Sequence, residues 1–361
     1  MRMRYFNFLK KEQVSRIFYK EPKKFSKESK RDILQYSIGA LLYVPAIDKS
    51  RIFNCLNNNI KGITSMVICL EDAIGDCGEA EAINNLDEVL RSINQSQMED
   101  LPLIFIRSRS REQLIKIKNI LIHNKHILTG IIVPKADASK LKEFLRYLEE
   151  INCENLYVMP IIETLDFINI QTKKNCLSSL YDTIKEYKNK ILGIRIGVTD
   201  ILGCYGARRN KELTIYDNAI FSTFSSDILT LASILDFEMP VSGSVSEFYN
   251  MNDKVIYESY VKENKMDKLN GFIGKTVINP SQMKVVQAMN VVSFEDYNDA
   301  VNIVENINNK KSISASIKRE RMNEVNPHLK WARRILALSE VFGVLNEGVK
   351  FDELYEISLQ Y

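Results

Sequence analysis

The sequence has no apolar stretch that approaches the roughly 18–20 residues of a membrane span. Its basic beginning, MRMRYFNFLKKEQ, lacks the apolar centre of a signal peptide. The charge is nearly balanced, with 49 basic and 46 acidic side chains and a net charge of +3. Proteins that bind phosphate backbones usually carry a clear basic excess, so this balance argues against nucleic acid as the main partner. We therefore expect a cytoplasmic protein without a membrane partner.

Residues that bind soft or borderline metals are also scarce. The three histidines, His123, His126 and His328, are too dispersed for a histidine-rich site. The six cysteines show neither a CxxC pair nor a zinc-ligand spacing, which is typical of reduced thiols in a cytoplasmic protein. A Gly-rich GxGxxG turn after the first predicted strand is absent as well, which disfavours an open dinucleotide-binding sheet.

Short, β-branched apolar runs alternate with longer segments of helical period from residue 40 onward. Continuous apolar strands separated by helices predict parallel strands that are covered on both faces. Eight such units over about 250 residues favour an α/β fold, a closed (β/α)₈ TIM barrel, over an open doubly wound sheet. The runs are ALLYVPA (40–46), TSMVICLED (64–72), PLIFIRSR (102–109), TGIIVPK (129–135), NLYVMPIIET (155–164), ILGIRIGVTD (191–200), EMPVSGSVS (238–246) and GKTVINP (274–280).

Three regions are expected along the chain. Residues 1–38 hold eleven Lys or Arg against four Asp or Glu, and their apolar residues recur near helical spacing, which predicts a basic helical extension. Residues 39–292 would form the barrel. Residues 293–361 would add C-terminal helices and a polar segment that is either a lid or a surface connection.

Polar side chains stand where the predicted strands end. In TIM barrels the active site lies at the carboxyl ends of the strands, so these side chains are expected to surround one pocket. They are Glu71 and Asp72 after the second strand, Arg107 and Arg109 at the third, Lys135 at the fourth, Glu163 at the fifth, Asp200 at the sixth, Ser242 and Ser244 at the seventh, and Asn279 at the eighth.

Glu163 and Asp200 are the candidate metal ligands. Two carboxylates on neighbouring strands repel one another unless a cation lies between them. Oxygen ligands without His or Cys select Mg²⁺, or Mn²⁺, over zinc. The alternative is structural, with both acids in salt bridges to Arg195 and Arg107.

Three basic residues could contact a substrate. Arg107 would hold a substrate carboxylate or carbonyl oxygen, while Glu71 and Asp72 hold the arginine in position. Arg208, in the loop GARRN, could bind an anionic group, and a solvated loop pair is the alternative. Lys135 could meet the phosphate of a cofactor or could be an exposed lysine at a strand end.

The motifs LLYVPA, VICLEDAIGD, PLIFIRSRS, GIIVPK, MPIIET, GVTDILGCYG and GKTVINPSQ resemble, in their order, the citrate lyase β-subunit-like proteins of the HpcH/HpaI aldolase superfamily. The segments RIGVTD, GARRN, YDNAI and MNEVNPHLKWARRIL are similar to one branch, the TIM-barrel carbon–carbon bond lyases associated with tellurium-resistance and stress gene clusters. The resemblance covers about residues 5 to 345.

The resemblance implies Mg²⁺-dependent cleavage or formation of a carbon–carbon bond beside a carbonyl, often on coenzyme A thioesters. It implies Glu163 and Asp200 as metal ligands and Arg107 as the residue that stabilises a developing enolate. Glu324 would be the acid or base on a C-terminal segment that often reaches into a neighbouring subunit. We accordingly expect a homo-oligomer, either a trimer or a hexamer.

One departure from the family pattern concerns substrate contacts. The eighth strand ends in Ile278-Asn279-Pro280, where the family usually has Ile-His-Pro, so Asn279 replaces an imidazole. The expected activity is a retro-aldol or retro-Claisen lyase acting on a carboxylate- or acyl-thioester-containing substrate. The alternatives are an acyl-CoA thioester hydrolase that uses the same metal site and a non-catalytic metabolite-binding subunit.

Overall fold

The structure is a computed structural model that describes residues 3–72, 74–96, 98, 100–308 and 312–361. The chain begins with α1 (Lys11–Ile17), β1 (Phe18–Lys20) and α2 (Arg31–Leu34). The helix α1 is shorter than the apolar spacing predicts. Phe6 lies before it in a left-handed conformation with φ 57°, and Phe18 belongs to a strand. Both are nevertheless buried, so this extension is held by apolar packing.

Eight parallel strands form the central sheet, and each contains one of the predicted apolar runs. They are β2 (Ala40–Pro45), β3 (Ser65–Cys69), β4 (Leu103–Arg107), β5 (Gly130–Val133), β6 (Tyr157–Ile162), β7 (Ile194–Ile196), β8 (Val241–Ser242) and β9 (Lys275–Val277). Neighbours along the sheet run from β8 back to β2 and then to β9. A parallel bridge between Gly243 and Lys275 links the two ends, so the predicted TIM barrel is confirmed.

Helices cover the outside of the barrel. They are α3 (Lys49–Leu56), α4 (Glu79–Ser96), α5 (Arg111–Lys116), α6 (Lys118–Asn124), α7 (Ala138–Glu150), α8 (Lys173–Glu186), α9 (Val198–Cys204), α10 (Ala219–Ser233), α11 (Lys254–Asn270) and α12 (Pro280–Asn290). Three short 3₁₀ helices lie at Asp76–Gly78, Leu165–Phe167 and Ile215–Asp217. The strands β3 and β4 are buried at every position, because the helices cover one face and the barrel interior the other.

Capping residues next to each helix in the sequence determine where several of the helices begin. Asp48, Ser110, Asp137, Asn218 and Asp253 each accept a backbone N–H from the first turn of the helix that they precede. Such caps satisfy amide groups that have no partner inside the helix. Ser110 and Asp137 cap the helices that come shortly after β4 and β5, close in the chain to the polar residues at the ends of those strands.

The C-terminal region comprises α13 (Phe294–Asn308), β10 (Ile313–Ala315), β11 (Met322–Glu324), α14 (Val325–Phe342), β12 (Val344–Leu345) and α15 (Phe351–Ser358). The strands β10 and β11 form a hairpin against α13, with Asn323 hydrogen-bonded to Asp299. The strand β12 pairs with β1, and Arg334 of α14 contacts Gly271 and Glu238, which precede β9 and β8. The two chain ends therefore meet at the amino-terminal end of the barrel. None of the described helices combines the length and apolarity needed to span a bilayer.

Candidate active site

The carboxyl ends of the barrel strands surround a cavity of about 530 Å³. Its wall includes four of the residues predicted at strand ends, Asp72, Arg107, Glu163 and Asp200. It also includes Tyr43 and Arg51, which the sequence did not single out. Parallel strands bring their carboxyl ends to one edge, so residues more than 100 positions apart share this cavity.

Arg107, the last residue of β4, is held by acids on two sides. Its Nη2 lies 2.5 Å from Glu71 Oε2, and its Nη1 lies 2.7 Å from Asp72 Oδ2. Its Nη2 also lies 3.6 Å from Glu163 Oε1, while its Nε is buried without a hydrogen-bond partner. The paired charges orient the guanidinium in the cavity wall, where a planar donor group is suited to an oxygen of a bound ligand.

Glu163 follows β6 and is only 4% exposed. Its Oε1 accepts the backbone N–H of Lys135 at 2.8 Å, and Lys135 has a left-handed backbone with φ 48° that is uncommon outside glycine. Burial raises the pKa of Glu163 to about 7; Arg107 and the Lys135 amide oppose the shift, and the charges of Asp200 and Glu71 add to it. Glu163 is thus a carboxyl group that gives up its proton near neutral pH.

Asp200 lies in the first turn of α9, beside Glu163, and is partly exposed. Gly197, at the start of that helix, makes this arrangement possible. A Cβ on Gly197 would lie 1.8 Å from Glu163 Oε2 and 2.6 Å from its Cβ, closer than any real contact. The φ of Gly197 is −104°, so glycine is required here for space and not for backbone conformation.

Glu163 and Asp200 are the two carboxylates that could bind a divalent cation in this cavity. Among the described residues, no group of three or more His, Cys, Asp or Glu is arranged as a metal-ligand set. Mg²⁺ is commonly held by only one or two carboxylates, with water and substrate oxygens completing six-fold coordination. Asp200 raises the pKa of Glu163, and a cation between the two would relieve that repulsion. The donor set, the cavity and the space left by Gly197 therefore fit Mg²⁺.

We predict that Mg²⁺ affinity depends on pH through Glu163. The pKa of Glu163 is about 7, so below that pH a proton must leave before the carboxylate can bind Mg²⁺. Affinity is expected to fall about tenfold per pH unit below 7 and to level off above it. Calorimetric titration with MgCl₂ across this range measures the slope. A glutamate with an ordinary pKa would give constant affinity down to about pH 5, and that result would contradict the prediction.

The side chain of Lys135 lies between two acidic residues, Glu71 and Asp200. Its Nζ is 3.8 Å from Glu71 Oε1 and 3.7 Å from Asp200 Oδ1, and its side chain is about half exposed. Its ammonium group therefore contributes positive charge beside the candidate metal ligands. The backbone of the same residue positions Glu163, which the sequence did not indicate.

Six other predicted residues are not part of the cavity wall, namely Arg109, Arg208, Ser242, Ser244, Asn279 and Glu324. Asn279 caps α12, since its side chain accepts the N–H of Ser281. Arg208 is largely exposed and its Nε lies 3.5 Å from Glu247. Glu324 precedes α14, and its backbone N–H donates to His328 Nδ1. Because α14 packs at the amino-terminal end of the barrel, Glu324 does not reach the cavity of its own chain.

Solved structures share this fold at low sequence identity. The protein CitE from Mycobacterium tuberculosis, in complex with magnesium, acetoacetate and coenzyme A, matches with a TM-score of 0.57 and 17% identity over 84% of this chain and 99% of that chain. The citrate lyase β subunit from the same organism, complexed with oxaloacetate and magnesium, has a TM-score of 0.50 and 17% identity over 71% and 98%. RipC from Yersinia pestis has a TM-score of 0.50 and 15% identity over 71% and 95%. At these identities the likeness establishes the fold.

The family of this chain is assigned from the match of its sequence to a family model. No curated protein matches this chain. A family model described as a carbon–carbon bond lyase of the TIM-barrel fold matches residues 32–344. That match spans the whole barrel, the cavity residues and α14. The chain therefore belongs to the carbon–carbon bond lyases of the TIM-barrel fold.

Proposed function

We propose that this chain is a Mg²⁺-dependent lyase that cleaves a carbon–carbon bond beside a carbonyl, by a retro-aldol or retro-Claisen reaction. The proposal is supported above all by one observation. Glu163 and Asp200 line the same cavity as Arg107, and the Glu163 carboxylate occupies the space that a Cβ on Gly197 would need. The substrate would carry a carboxylate or an acyl thioester next to the bond that breaks.

Glu163 and Asp200 would hold the cation. A bound Mg²⁺ would supply Lewis-acid polarisation and a template for two adjacent substrate oxygens. Glu163 is held by the Lys135 amide and by Arg107, so its carboxylate is already oriented before a ligand arrives. Asp200 is the more exposed of the two and faces the open side of the cavity.

Arg107 would stabilise the negative charge that develops as the bond breaks. In a retro-aldol reaction the substrate hydroxyl would lose its proton and become a carbonyl as the carbon–carbon bond opens, while the electron pair of that bond moves to the neighbouring carbonyl oxygen and gives an enolate, which then takes a proton at carbon. In a retro-Claisen reaction, water would first add to the second carbonyl and supply that hydroxyl. The Nε–H of Arg107 has no hydrogen-bond partner among the described residues, and its other nitrogens are fixed by Glu71 and Asp72. A donor oriented in this way is commonly worth about 3 kcal/mol of transition-state stabilisation.

The proton would come from water in the cavity of a single chain. Glu324 could take this role only in the cavity of a second copy, because its own chain places it at the opposite end of the barrel. This role of Glu324 is therefore tied to the proposed homo-oligomer, a trimer or a hexamer.

Coenzyme A thioesters are candidate substrates because CitE of Mycobacterium tuberculosis binds coenzyme A together with magnesium and acetoacetate. The ammonium group of Lys135 is shared between Glu71 and Asp200, so we assign it to charge balance around the metal and not to a phosphate. Any anionic part of a larger substrate would meet Arg51 at the cavity wall, where its Nη2 is anchored to the Ile278 carbonyl at 2.7 Å.

Calorimetric titration with MgCl₂ tests the metal site in the Glu163→Gln and Asp200→Asn variants. Each substitution removes one charged ligand, so affinity is expected to fall by more than the about 10–100-fold that changes outside the ligand set cause. Asp352→Asn, an exposed acid of α15, is the control and keeps wild-type affinity. Wild-type affinity in both ligand variants would refute the assignment.

Product analysis then separates the candidate reactions. Incubation with Mg²⁺ and acyl-CoA or keto-acid substrates is expected to yield two fragments of the carbon skeleton. A thioester hydrolase would release coenzyme A and leave that skeleton uncut. A non-catalytic subunit would bind ligand in the presence of Mg²⁺ without turnover.

A further inference from the structure

The turn between β5 and α7 contacts one side of the candidate metal site. Lys135, in this turn, has a left-handed backbone, and its N–H donates to Glu163 Oε1 at 2.8 Å. A left-handed conformation is unfavourable for a residue other than glycine, so other contacts must hold the turn in this shape. The next amide, that of Ala136, donates to the Ile161 carbonyl of β6 at 2.9 Å. The turn is thus tied to β6, and the peptide group between Pro134 and Lys135 faces Glu163.

Lys140 contacts the opposite side of that peptide group. Its Nζ donates to the Pro134 carbonyl at 2.6 Å, and its backbone N–H donates to the α7 cap, Asp137, at 2.8 Å. A planar trans peptide points its C=O and its N–H in opposite directions. The ammonium group of Lys140 and the carboxylate of Glu163 therefore bind the two ends of one peptide group.

The location of Lys140 is unfavourable for a lysine. It lies in the first turn of α7, where the positive end of the helix dipole disfavours a cation. Its side chain is partly buried, and no carboxylate of the described residues lies within salt-bridge distance of its Nζ. Burial lowers the pKa of Lys140, while the charges of Glu71 and Glu163 oppose that shift. A local rule broken beside a candidate site suggests that the lysine has a use there.

We propose that Lys140 is a positioning residue of the metal site, which fixes the orientation of the Glu163 carboxylate through the peptide group between Pro134 and Lys135. This inference rests on the proposed function, in which Glu163 is a metal ligand. The ammonium group polarises the peptide and strengthens its N–H as a donor, since hydrogen bonds in a chain reinforce one another. Lys140 is not part of the cavity wall, so it acts on the site through this peptide alone.

The direction of the change in Mg²⁺ affinity separates positioning from a simple effect of charge. Lys140→Met removes the donor to Pro134 and also removes a positive charge near the cation. Loss of that charge alone would raise the affinity for Mg²⁺, whereas loss of orientation lowers it. We expect the affinity to fall by about 10–100-fold, as when a hydrogen-bonded partner of a metal ligand is removed. Lys140→Arg keeps a cationic donor and is expected to restore most of the affinity.

Calorimetric titration of the full-length protein with MgCl₂ at pH 8.5 measures these affinities. That pH lies above the pKa of Glu163, which is about 7, so the carboxyl group is largely ionised throughout. Lys142→Met is the control, because Lys142 lies on the same helix with its Nζ 2.8 Å from Glu186, and its affinity is expected to stay unchanged. An unchanged or increased affinity in Lys140→Met would overturn the proposal, and so would equal losses in Lys140→Met and Lys140→Arg.

Nuclear magnetic resonance observes the same peptide group in the absence of metal. The sequence contains two Pro-Lys pairs, at residues 22–23 and 134–135, so ¹³C-carbonyl proline combined with ¹⁵N-lysine labels these two peptide groups alone. In Lys140→Met we expect the Pro134 carbonyl carbon and the Lys135 amide proton both to move upfield, because each loses polarisation. The Lys23 amide, which donates to the Glu340 carbonyl at 2.8 Å, is the internal reference and is expected not to move.

The two measurements separate this inference from the proposed function. Wild-type protein that binds no Mg²⁺ would refute the metal site, while the peptide signals would still test Lys140. A shift of the Pro134 carbonyl carbon with an unmoved Lys135 amide proton would show that the peptide does not transmit the contact to Glu163, and would overturn the proposal. Upfield shifts of both nuclei, with a loss of Mg²⁺ affinity that Lys140→Arg restores, would support it.

Discussion

Replacement of Gly197 by alanine is expected to abolish Mg²⁺ binding and carbon–carbon cleavage, although the substitution removes no polar atom. The new Cβ would lie 1.8 Å from Glu163 Oε2 and 2.8 Å from its carboxyl carbon. Because such distances are impossible, the Glu163 side chain must rotate away from Asp200 or the start of α9 must shift. A displacement of about 1 Å in a catalytic arrangement can cost about a hundredfold in rate.

Gly203→Ala is the control for this experiment. Gly203 lies on the same helix α9, and a Cβ at that position meets no atom within 4 Å. It is expected to keep wild-type Mg²⁺ affinity and to gain slightly in stability, since alanine is the better helix former. Calorimetric Mg²⁺ titration and the rate of product formation are measured for both variants. Wild-type affinity in Gly197→Ala would show that the Glu163 carboxylate does not bind the metal from its present position.

Replacement of Lys275 by methionine is expected to destabilise the protein by about 3–5 kcal/mol, because it leaves buried acids without their counter-charge. Lys275 is fully buried on the outer side of β9, and its ammonium contacts Glu263 and Asp267 of α11. Glu263 also pairs with Arg209 and accepts the N–H of Ile215 at 2.9 Å. The network joins β9, α11 and the loop that follows α9, so its loss would loosen one side of the barrel mouth.

Urea unfolding measures this effect on the free energy of unfolding. Lys254→Met is the control, because Lys254 is largely exposed, lies 3.8 Å from Glu258, and its loss is expected to cost less than about 1 kcal/mol. Adding Asp267→Asn to Lys275→Met is expected to recover part of the stability by removing one uncompensated charge. Equal unfolding free energies for Lys275→Met and Lys254→Met would contradict the role given to the network.

The barrel could be predicted because its signal is local and repeated. Each apolar run is a strand that is buried on both faces, so its residues cannot alternate between polar and apolar. The polar residues that follow the runs converge because all eight strands are parallel. Arg107, Glu163 and Asp200 were found in this way, and they do line one cavity.

The residues that sequence patterns missed are those whose role depends on packing. Tyr43 lies within a strand, where its position in the sequence does not distinguish a barrel interior residue from an outer one. Gly197 looks like any glycine before a helix until the Glu163 side chain is placed against it. The role of Asn279, in contrast, could have been predicted from the sequence. Asn followed by Pro280 and Ser281 is typical of a helix start, and in the structure Asn279 caps α12.

The order of strands and helices, the polar strand ends and the family motifs were determined by the sequence itself, because each depends on residues close together in the chain. Only the tertiary structure decided which charges are paired. Among the described residues, acids pair with Arg107 and Lys275 but not with Arg195, and Glu324 lies at the far end of the barrel. Pairing depends on distances of a few ångströms between segments far apart in the chain, and no spacing within the sequence encodes them.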